Sequence, residues 1–254
     1  METASKPKVG GYEMLASIKE ALAIYKRNFW RVLLIGLTII LPIQLIYTIV
    51  VNFVSLPLAF FNIPLWSNLF QGIFMIMSLF LILIPLISLV VQETRTQKVN
   101  TGKIYVDMLR YSFFLYVISI PVSILTTIGF FLLIIPGLVL LIFSMGMPFV
   151  KVTEDDSLKG VLKKSIAFGK EHFINICGLL LLFAAVDFLA SFLLTYLAIG
   201  LTGLMAITNW ALMVLNMFLL PVFVFTVAKL YLDWNGEADL VHEDAYFQQL
   251  KQYQ

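Results

Sequence analysis

Residues 111–150 read YSFFLYVISIPVSILTTIGFFLLIIPGLVLLIFSMGMPFV and contain no charged side chain. As one helix, these 40 residues would extend about 60 Å at 1.5 Å per residue, twice the roughly 30 Å of a bilayer hydrocarbon core. The stretch therefore predicts two antiparallel membrane spans. A break at 126–129 is favoured over one at Pro136–Gly137, because the later break leaves only a stub before Lys151.

The whole chain shares this apolar character. Of its 254 residues, 61% are hydrophobic and 13% are charged, and the mean hydropathy is +0.96. A soluble domain is nearer half apolar and a quarter charged, so the composition excludes a cytosolic enzyme, a disordered regulator and a disulfide-stapled secreted domain. The net charge of +2 predicts no nucleic-acid partner. Cys177 is the single cysteine, and residue spacing predicts neither a cofactor nor a metal site.

The apolar runs predict an all-α protein, a polytopic membrane bundle of six transmembrane helices. An N-terminal segment at 1–28 carries an amphipathic helix, the membrane domain occupies 29–232, and a tail occupies 233–254. The predicted spans are about 30–53, 69–91, 111–127, 130–150, 174–198 and 204–230.

The basic residues predict the orientation of these spans. With six crossings, all 17 lysines and arginines fall on one side of the membrane, whereas the loops at 54–68, around Thr127 and at 196–203 carry no charge. Because cytoplasmic loops are enriched in basic residues, we expect both termini to be cytoplasmic and the protein to lie in a plasma membrane.

Two segments that precede predicted spans resemble each other. Residues 18–29, IKEALAIYKRNF, align without gaps on residues 162–173, LKKSIAFGKEHF, and both are amphipathic at helical spacing. A weaker counterpart at 104–111 precedes the third span. The chain therefore predicts three units, each with a cytoplasmic amphipathic helix followed by a two-span hairpin.

These amphipathic helices have two interpretations. They cover the cytoplasmic ends of the bundle as structural elbows, or they bind anionic lipid through basic side chains. The candidate headgroup contacts are Lys159, Lys163, Lys164 and Lys170 of the second segment and Lys26 and Arg27 of the first.

Four short motifs carry a family resemblance. They are LLIIPG at 132–137, LKKS at 162–165, KEHF at 170–173 and YKRNFW at 25–30. The chain resembles the membrane domain attached to some bacterial glycerophosphodiester phosphodiesterases, and the stand-alone bacterial relatives of that domain. The resemblance implies a bacterial plasma-membrane protein, and the phosphodiesterase activity is not carried over because the sequence leaves no room for that barrel.

Three polar residues are predicted to share one layer inside the membrane. Asp187 lies 13 residues after Ile174, Gln44 lies 14 after Trp30, and Asn216 lies 13 before Lys229; each separation is about 20 Å of helix. This layer is interpreted either as a proton-coupled or polar-substrate site, or as interhelical hydrogen bonding through a protonated Asp187. Pro136 and Gly137 are the candidate functional break in a helix.

The sequence contains no pattern of catalytic residues, so we do not expect an enzyme. The leading hypothesis is a non-enzymatic integral membrane protein that binds or organises lipid, a membrane-active peptide or a partner membrane protein such as a transporter subunit. The alternative is a small permease or proton-coupled transporter that uses the polar layer around Asp187. Homo-oligomers are compatible with both.

Overall fold

The computed structural model describes residues 10–60, 64–202 and 205–236, and these are helical apart from short turns. The ends of the chain predicted as an N-terminal segment and a tail thus lie partly outside the described residues. The helices are α1 Gly10–Arg27, α2 Phe29–Ile35, a π-helical turn Gly36–Ile40, α3 Leu41–Phe60, α4 Pro64–Thr96, α5 Thr101–Leu132, α6 Ile134–Glu154, α7 Leu158–Glu171, α8 Phe173–Thr202 and α9 Met205–Trp234.

Six helical segments in the described residues are long and apolar enough to cross a membrane. The first combines α2, the π-helical turn and α3, and the others are α4, α5, α6, α8 and α9. The prediction of an all-α bundle with six spans is confirmed, and the protein is an integral membrane protein by helix length and composition. Most of the helices extend past the predicted bounds, because polar residues continue a helix beyond its apolar part.

α4 lies at the centre of the bundle. Two thirds of its most apolar window (67%) is buried, whereas only 11% of the window in α8 is buried. Phe80, Leu83 and Ile87 of α4 are fully enclosed by neighbouring helices. Burial of such side chains contributes dispersion contacts that lipid tails supply less densely, so α4 organises the core and α8 remains peripheral.

Polar contacts between helices gather at one end of the bundle. Arg27 pairs with Glu93 at 2.8 Å, and Arg110 pairs with Asp155 at 2.5 Å. Arg95 donates to the Thr153 carbonyl oxygen at 2.9 Å. We call this the charged end of the bundle, and the opposite end the charge-free end.

The break between the third and fourth spans lies at Leu133, and the prediction of a break at 126–129 is wrong. Leu133 is extended, with φ −156° and ψ 137°. Thr126 and Thr127 are instead buried inside α5, and a Cβ added at Gly72 would lie 2.8 Å from the Thr127 methyl group. Packing against α4 therefore keeps this Thr-rich segment helical, although its sequence suggested a turn.

Pro136 and Gly137 lie in the first turn of α6, just after the break rather than within a continuous span. Proline fits there because the first N–H groups of a helix have no intrahelical acceptor. A Cβ added at Gly137 would lie 2.5 Å from the Phe130 backbone nitrogen. This close approach of α5 and α6 needs a residue without a side chain, so Gly137 has a structural role in the hairpin.

The two similar segments, α1 and α7, meet their spans in the same way. Asn28 has φ −111° and ψ 20°, and the aligned His172 has φ −106° and ψ 21°. Their N–H groups donate to the Ile24 and Phe168 carbonyl oxygens at 3.0 and 2.9 Å, and these two acceptors are also aligned in the sequence. The sequence repeat therefore corresponds to the same backbone conformation where α1 and α7 each join the following span.

The third predicted unit has a different structure. Residues 104–111 belong to α5, which runs without interruption from Thr101 to Leu132. Asn100 caps this helix by accepting a hydrogen bond from the Lys103 backbone N–H at 3.3 Å. The amphipathic segment thus continues directly into its span, because no residue equivalent to Asn28 breaks the helix.

A cysteine-labelling experiment tests the orientation. In a Cys177→Ala background, we expect Asn68→Cys to react with an impermeant thiol reagent in intact cells, because Asn68 is exposed near the charge-free end and that end is predicted to face outward. Lys98→Cys should react only after permeabilisation. Thr127→Cys should not react in either case, since Thr127 is buried. Labelling of Lys98→Cys in intact cells would reverse the predicted orientation.

Candidate functional site

A cavity of about 530 Å³ lies between α3, α4 and α9. Two of the three residues predicted to form the polar layer, Gln44 and Asn216, line it. Eight of its fifteen lining residues are polar and none is charged. The polar residues are Gln44, Tyr47, Thr48, Asn52, Gln71, Ser78, Asn209 and Asn216; the others are Val51, Met75, Leu79, Ile82, Leu212, Met213 and Leu220.

Exposure of the lining residues falls from one end of the cavity to the other. Asn52, Gln71 and Asn209 are exposed and lie toward the charge-free end of their helices. Gln44 and Asn216 are partly buried and lie deeper. The cavity therefore opens toward the charge-free end and narrows toward the middle of the bundle.

The deep end contains an unsatisfied hydrogen-bond acceptor. The Gln44 side-chain oxygen Oε1 is buried and has no hydrogen-bond partner among the described residues. An unpaired buried polar atom costs roughly 1–3 kcal/mol. A rotation of the Gln44 side chain that brings this oxygen to a hydrogen-bond donor in the cavity would remove that cost.

Tightly packed apolar residues close the cavity on its charged side. Ile40 of the π-helical turn, Leu83 of α4 and Val224 of α9 are fully buried, within one turn of lining residues of the adjoining helices. A Cβ added at Gly36 would lie 2.6 Å from Met217 Sδ, so the π-helical turn and α9 are in close contact. The cavity is thus closed toward the charged end of the bundle.

Asp187, the third residue of the predicted layer, does not line this cavity. It lies on the peripheral helix α8, between the exposed residues Val186 and Phe188, and its Oδ1 atom is buried without a hydrogen-bond partner in the described part of the chain. Gln44 and Asn216, which are predicted to lie at equal depth, line the same cavity. Depth along a helix does not indicate that α8 packs outside the group formed by α3, α4 and α9.

Sequence reasoning misses six of the eight polar lining residues, although a signal for them exists. Gln44, Thr48 and Asn52 recur every four residues along α3. Asn209 and Asn216 are seven residues apart along α9. Uncharged polar side chains at helical spacing in apolar spans mark one face of each helix, but only the packing reveals that these faces converge.

The candidate headgroup contacts divide into paired and unpaired residues. Arg27 pairs with Glu93, and Lys164 pairs with Glu154 and with Asp156. These two basic residues therefore hold α1 and α7 to the bundle, which is the elbow interpretation. Lys26, Lys159, Lys163 and Lys170 are exposed, and no ion pair involves them in the described residues.

The ion pairs near the start of α7 shift the pKa values of three of the residues that form them. A hydrogen bond from Lys151 lowers the pKa of Asp155 below its ordinary value of 3.8, and a hydrogen bond from Lys164 lowers that of Asp156. Hydrogen bonds to Glu154 and then to Asp156 raise the pKa of Lys164 above 10.5. Each shift favours the charged form, so these ion pairs are most stable when all of the residues that form them are ionised.

These shifts predict a loss of stability at both extremes of pH. A lowered carboxyl pKa contributes stability above the unfolded pKa of about 4, and this contribution is lost as the pH falls through the folded value. A raised lysine pKa contributes stability that is lost as the pH rises above about 10.5. We expect the melting temperature in detergent to be flat between these limits, and Asp155→Asn to weaken the acid dependence. An unchanged acid limb in that variant would contradict the assignment.

Comparison of the chain with protein-family models, curated proteins and solved structures returned no match. The resemblance to the phosphodiesterase-associated membrane domain therefore stays a prediction, and the cavity itself is the basis for a functional proposal.

Proposed function

We propose that this integral membrane protein is a non-enzymatic binding protein for an uncharged amphipathic lipid, which it holds in the cavity between α3, α4 and α9. The observation that carries the proposal is the mixed lining, with eight uncharged polar and seven apolar residues around about 530 Å³. Cavities of roughly 300–1,000 Å³ are typical of specific small-molecule sites. The polar side chains suit hydroxyl or amide groups, and the apolar side chains suit part of an acyl chain.

The uncharged lining argues against an ionic headgroup. A charge moved from water into an apolar interior needs an opposite charge or several strong hydrogen bonds. None of the lining residues is basic or acidic. A neutral headgroup needs only hydrogen-bonding partners, and Asn and Gln side chains both donate and accept.

The unsatisfied Oε1 atom of Gln44 adds a requirement for the ligand. This buried oxygen accepts no hydrogen bond in the described residues, and after a rotation of the Gln44 side chain into the cavity it would accept one from a hydroxyl or N–H group of a bound molecule. A lipid with a free hydroxyl group meets this requirement, and a fully esterified lipid does not.

Native mass spectrometry of the protein purified from its own membranes tests the proposal. We expect a retained neutral lipid that diacylglycerol added in detergent displaces. Gln44→Leu and Asn216→Leu should each weaken diacylglycerol binding about tenfold, because each leaves a polar ligand group unpaired. Asp187→Leu is the matched control, since it removes a membrane-embedded polar group outside the cavity, and should bind normally. A retained peptide, or equal effects of all three variants, would contradict lipid binding.

A permease for an uncharged solute is the second candidate. The observation that favours it is the position of Gln44 and Asn216 at the deep end of a cavity that opens on one side. Transport would require the packed residues Ile40, Leu83 and Val224 to separate. With Cys177 replaced, Ser78→Cys should then become reactive from both faces of a sealed vesicle. If Ser78→Cys reacts only from the face at the charge-free end, the result favours the binding protein. Asp187→Asn tests proton coupling separately.

A further inference from the structure

One face of α7 fixes this helix to the bundle. Val161, Ser165 and Phe168 are fully buried, and Phe168 packs against Trp234 with ring centroids 5.7 Å apart. A Cβ added at Gly169 would lie 2.9 Å from the Phe143 ring. The helix therefore lies closely against α6 and the end of α9. This packing fixes the orientation of its remaining faces relative to the bundle.

The next face around the helix is apolar and uncovered. Leu158, Leu162 and Ile166 recur every four residues and are 50%, 36% and 38% exposed. At about 100° per residue they occupy a sector roughly 80° wide, directly beside the buried face. A single residue, His172, separates α7 from the membrane-spanning helix α8. Ile174 in the first turn of α8 is 83% exposed. The apolar strip of α7 thus ends where a lipid-facing surface begins.

Three lysines border this apolar strip. Lys159, Lys163 and Lys170 fall within a sector about 40° wide on its outer side. All three are exposed, and the structure records no ion pair for them within residues 10–60, 64–202 and 205–236. Lys164 lies on the other side of the helix and is held by Glu154 and Asp156. The charge of the three lysines is therefore available to a partner outside the chain.

We propose that Lys159, Lys163 and Lys170 form a binding surface for the headgroups of anionic phospholipids, with Leu158, Leu162 and Ile166 in the acyl region below them. Around α7, the buried face is followed by the apolar strip and then by the three lysines. This order matches a helix that lies at a membrane surface, with apolar side chains in the acyl region and basic side chains at the headgroups. The proposal concerns a different surface and a different lipid charge from the cavity, so either one stands without the other.

The size of the effect follows from the attraction of basic residues to an anionic leaflet. Each lysine near the surface strengthens the association about fivefold. Removal of two lysines should therefore weaken the preference for anionic over zwitterionic lipid more than tenfold. Salt should weaken it as well, because the Debye length falls from about 10 Å at 0.1 M to about 3 Å at 1 M.

The experiment uses the full chain in nanodiscs of equal phosphatidylglycerol and phosphatidylcholine, with bound lipids counted by native mass spectrometry. We expect Lys159→Gln with Lys163→Gln to reduce the phosphatidylglycerol preference more than tenfold. The control replaces Lys98 and Lys103 by Gln, which removes the same charge from exposed positions outside α7. This control should change the preference less than the α7 variant does.

Two results would overturn the proposal. Equal losses in both double variants would mean that net charge, and not the α7 surface, attracts the lipid. An unchanged preference in the α7 variant would leave α7 as a structural elbow only. Melting temperatures within about 2 °C of the parent protein confirm that both variants are folded, because surface substitutions cost little stability.

Discussion

Replacement of Gly137 by Ala should lower the free energy of unfolding by about 3 kcal/mol or more. The new methyl group would lie 2.5 Å from the backbone nitrogen of Phe130, and a backbone atom cannot move aside as the end of a flexible side chain can. In a helix without this contact, Ala is favoured over Gly by about 1 kcal/mol. A loss of stability therefore measures the close approach of α5 and α6 directly.

Gly200→Ala is the matched control. Gly200 is also helical, and no heavy atom lies within 4 Å of a Cβ added there. This variant should be neutral or up to about 1 kcal/mol more stable. Thermal unfolding followed by tryptophan fluorescence in detergent should place the Gly137→Ala midpoint roughly 6–12 °C below the parent protein. Similar midpoints for the two variants would show that the hairpin is not tightly packed.

Replacement of Glu154 by Ala should destabilise the charged end by about 2–4 kcal/mol. Glu154 joins three helices, because it lies on α6 and accepts hydrogen bonds from Lys164 of α7 and Tyr231 of α9. Its side chain is only 17% exposed, so solvent replaces the lost contacts poorly. Removing one member of a partly buried charged network costs more than removing an exposed pair.

Glu20→Ala provides the comparison for Glu154. Glu20 also forms an ion pair, with Lys229 at 3.0 Å, but its side chain is 59% exposed. Its partner Lys229 is only 10% exposed but keeps a second ion pair, with Asp233 at 3.7 Å, so we expect Glu20→Ala to lower the melting temperature less than Glu154→Ala does. Because Glu154 anchors α7, hydrogen exchange in residues 158–171 should increase in Glu154→Ala and stay unchanged in Glu20→Ala. Equal protection of α7 in both variants would contradict the anchoring role.

The candidate site was only partly predictable from the sequence. Counting residues from Trp30, Ile174 and Lys229 predicts similar depth for the three polar residues, since the rise per residue in a helix is constant. Two of them, Gln44 and Asn216, line one cavity. Depth contains no information on which helices are neighbours, and Asp187, the most prominent of the three because of its charge, lies on the peripheral helix α8.

The lysines of α7 show a second property that the sequence does not predict, namely which of them form ion pairs. The spacing of Lys, Leu and Ile in 158–171 predicts a helix correctly. Lys163 and Lys164 are neighbours in the chain and alike in chemistry, but they project from the helix about 100° apart. Lys164 meets Glu154 and Asp156, whereas Lys163 faces outward, and this difference depends on where α6 lies.

The number of membrane spans and their helical form follow from the sequence alone. Six apolar segments of sufficient length predict six membrane helices, because backbone hydrogen bonds must be satisfied within each span where no water is present. The sequence also determined the repeat, since Asn28 and His172 occupy aligned positions and have the same backbone conformation. These properties depend on local chemistry and on the thickness of the bilayer.

The position at which the third and fourth spans separate, and the convergence of the polar faces, depend on tertiary packing. Thr127 stays helical because it packs against Gly72, and the chain reverses at Leu133 because Gly137 allows α6 to approach α5. The cavity exists because α3, α4 and α9 turn their polar faces toward one another. In an apolar solvent, helix association depends on close packing and interhelical hydrogen bonds, and a hydropathy pattern along one chain does not encode these contacts.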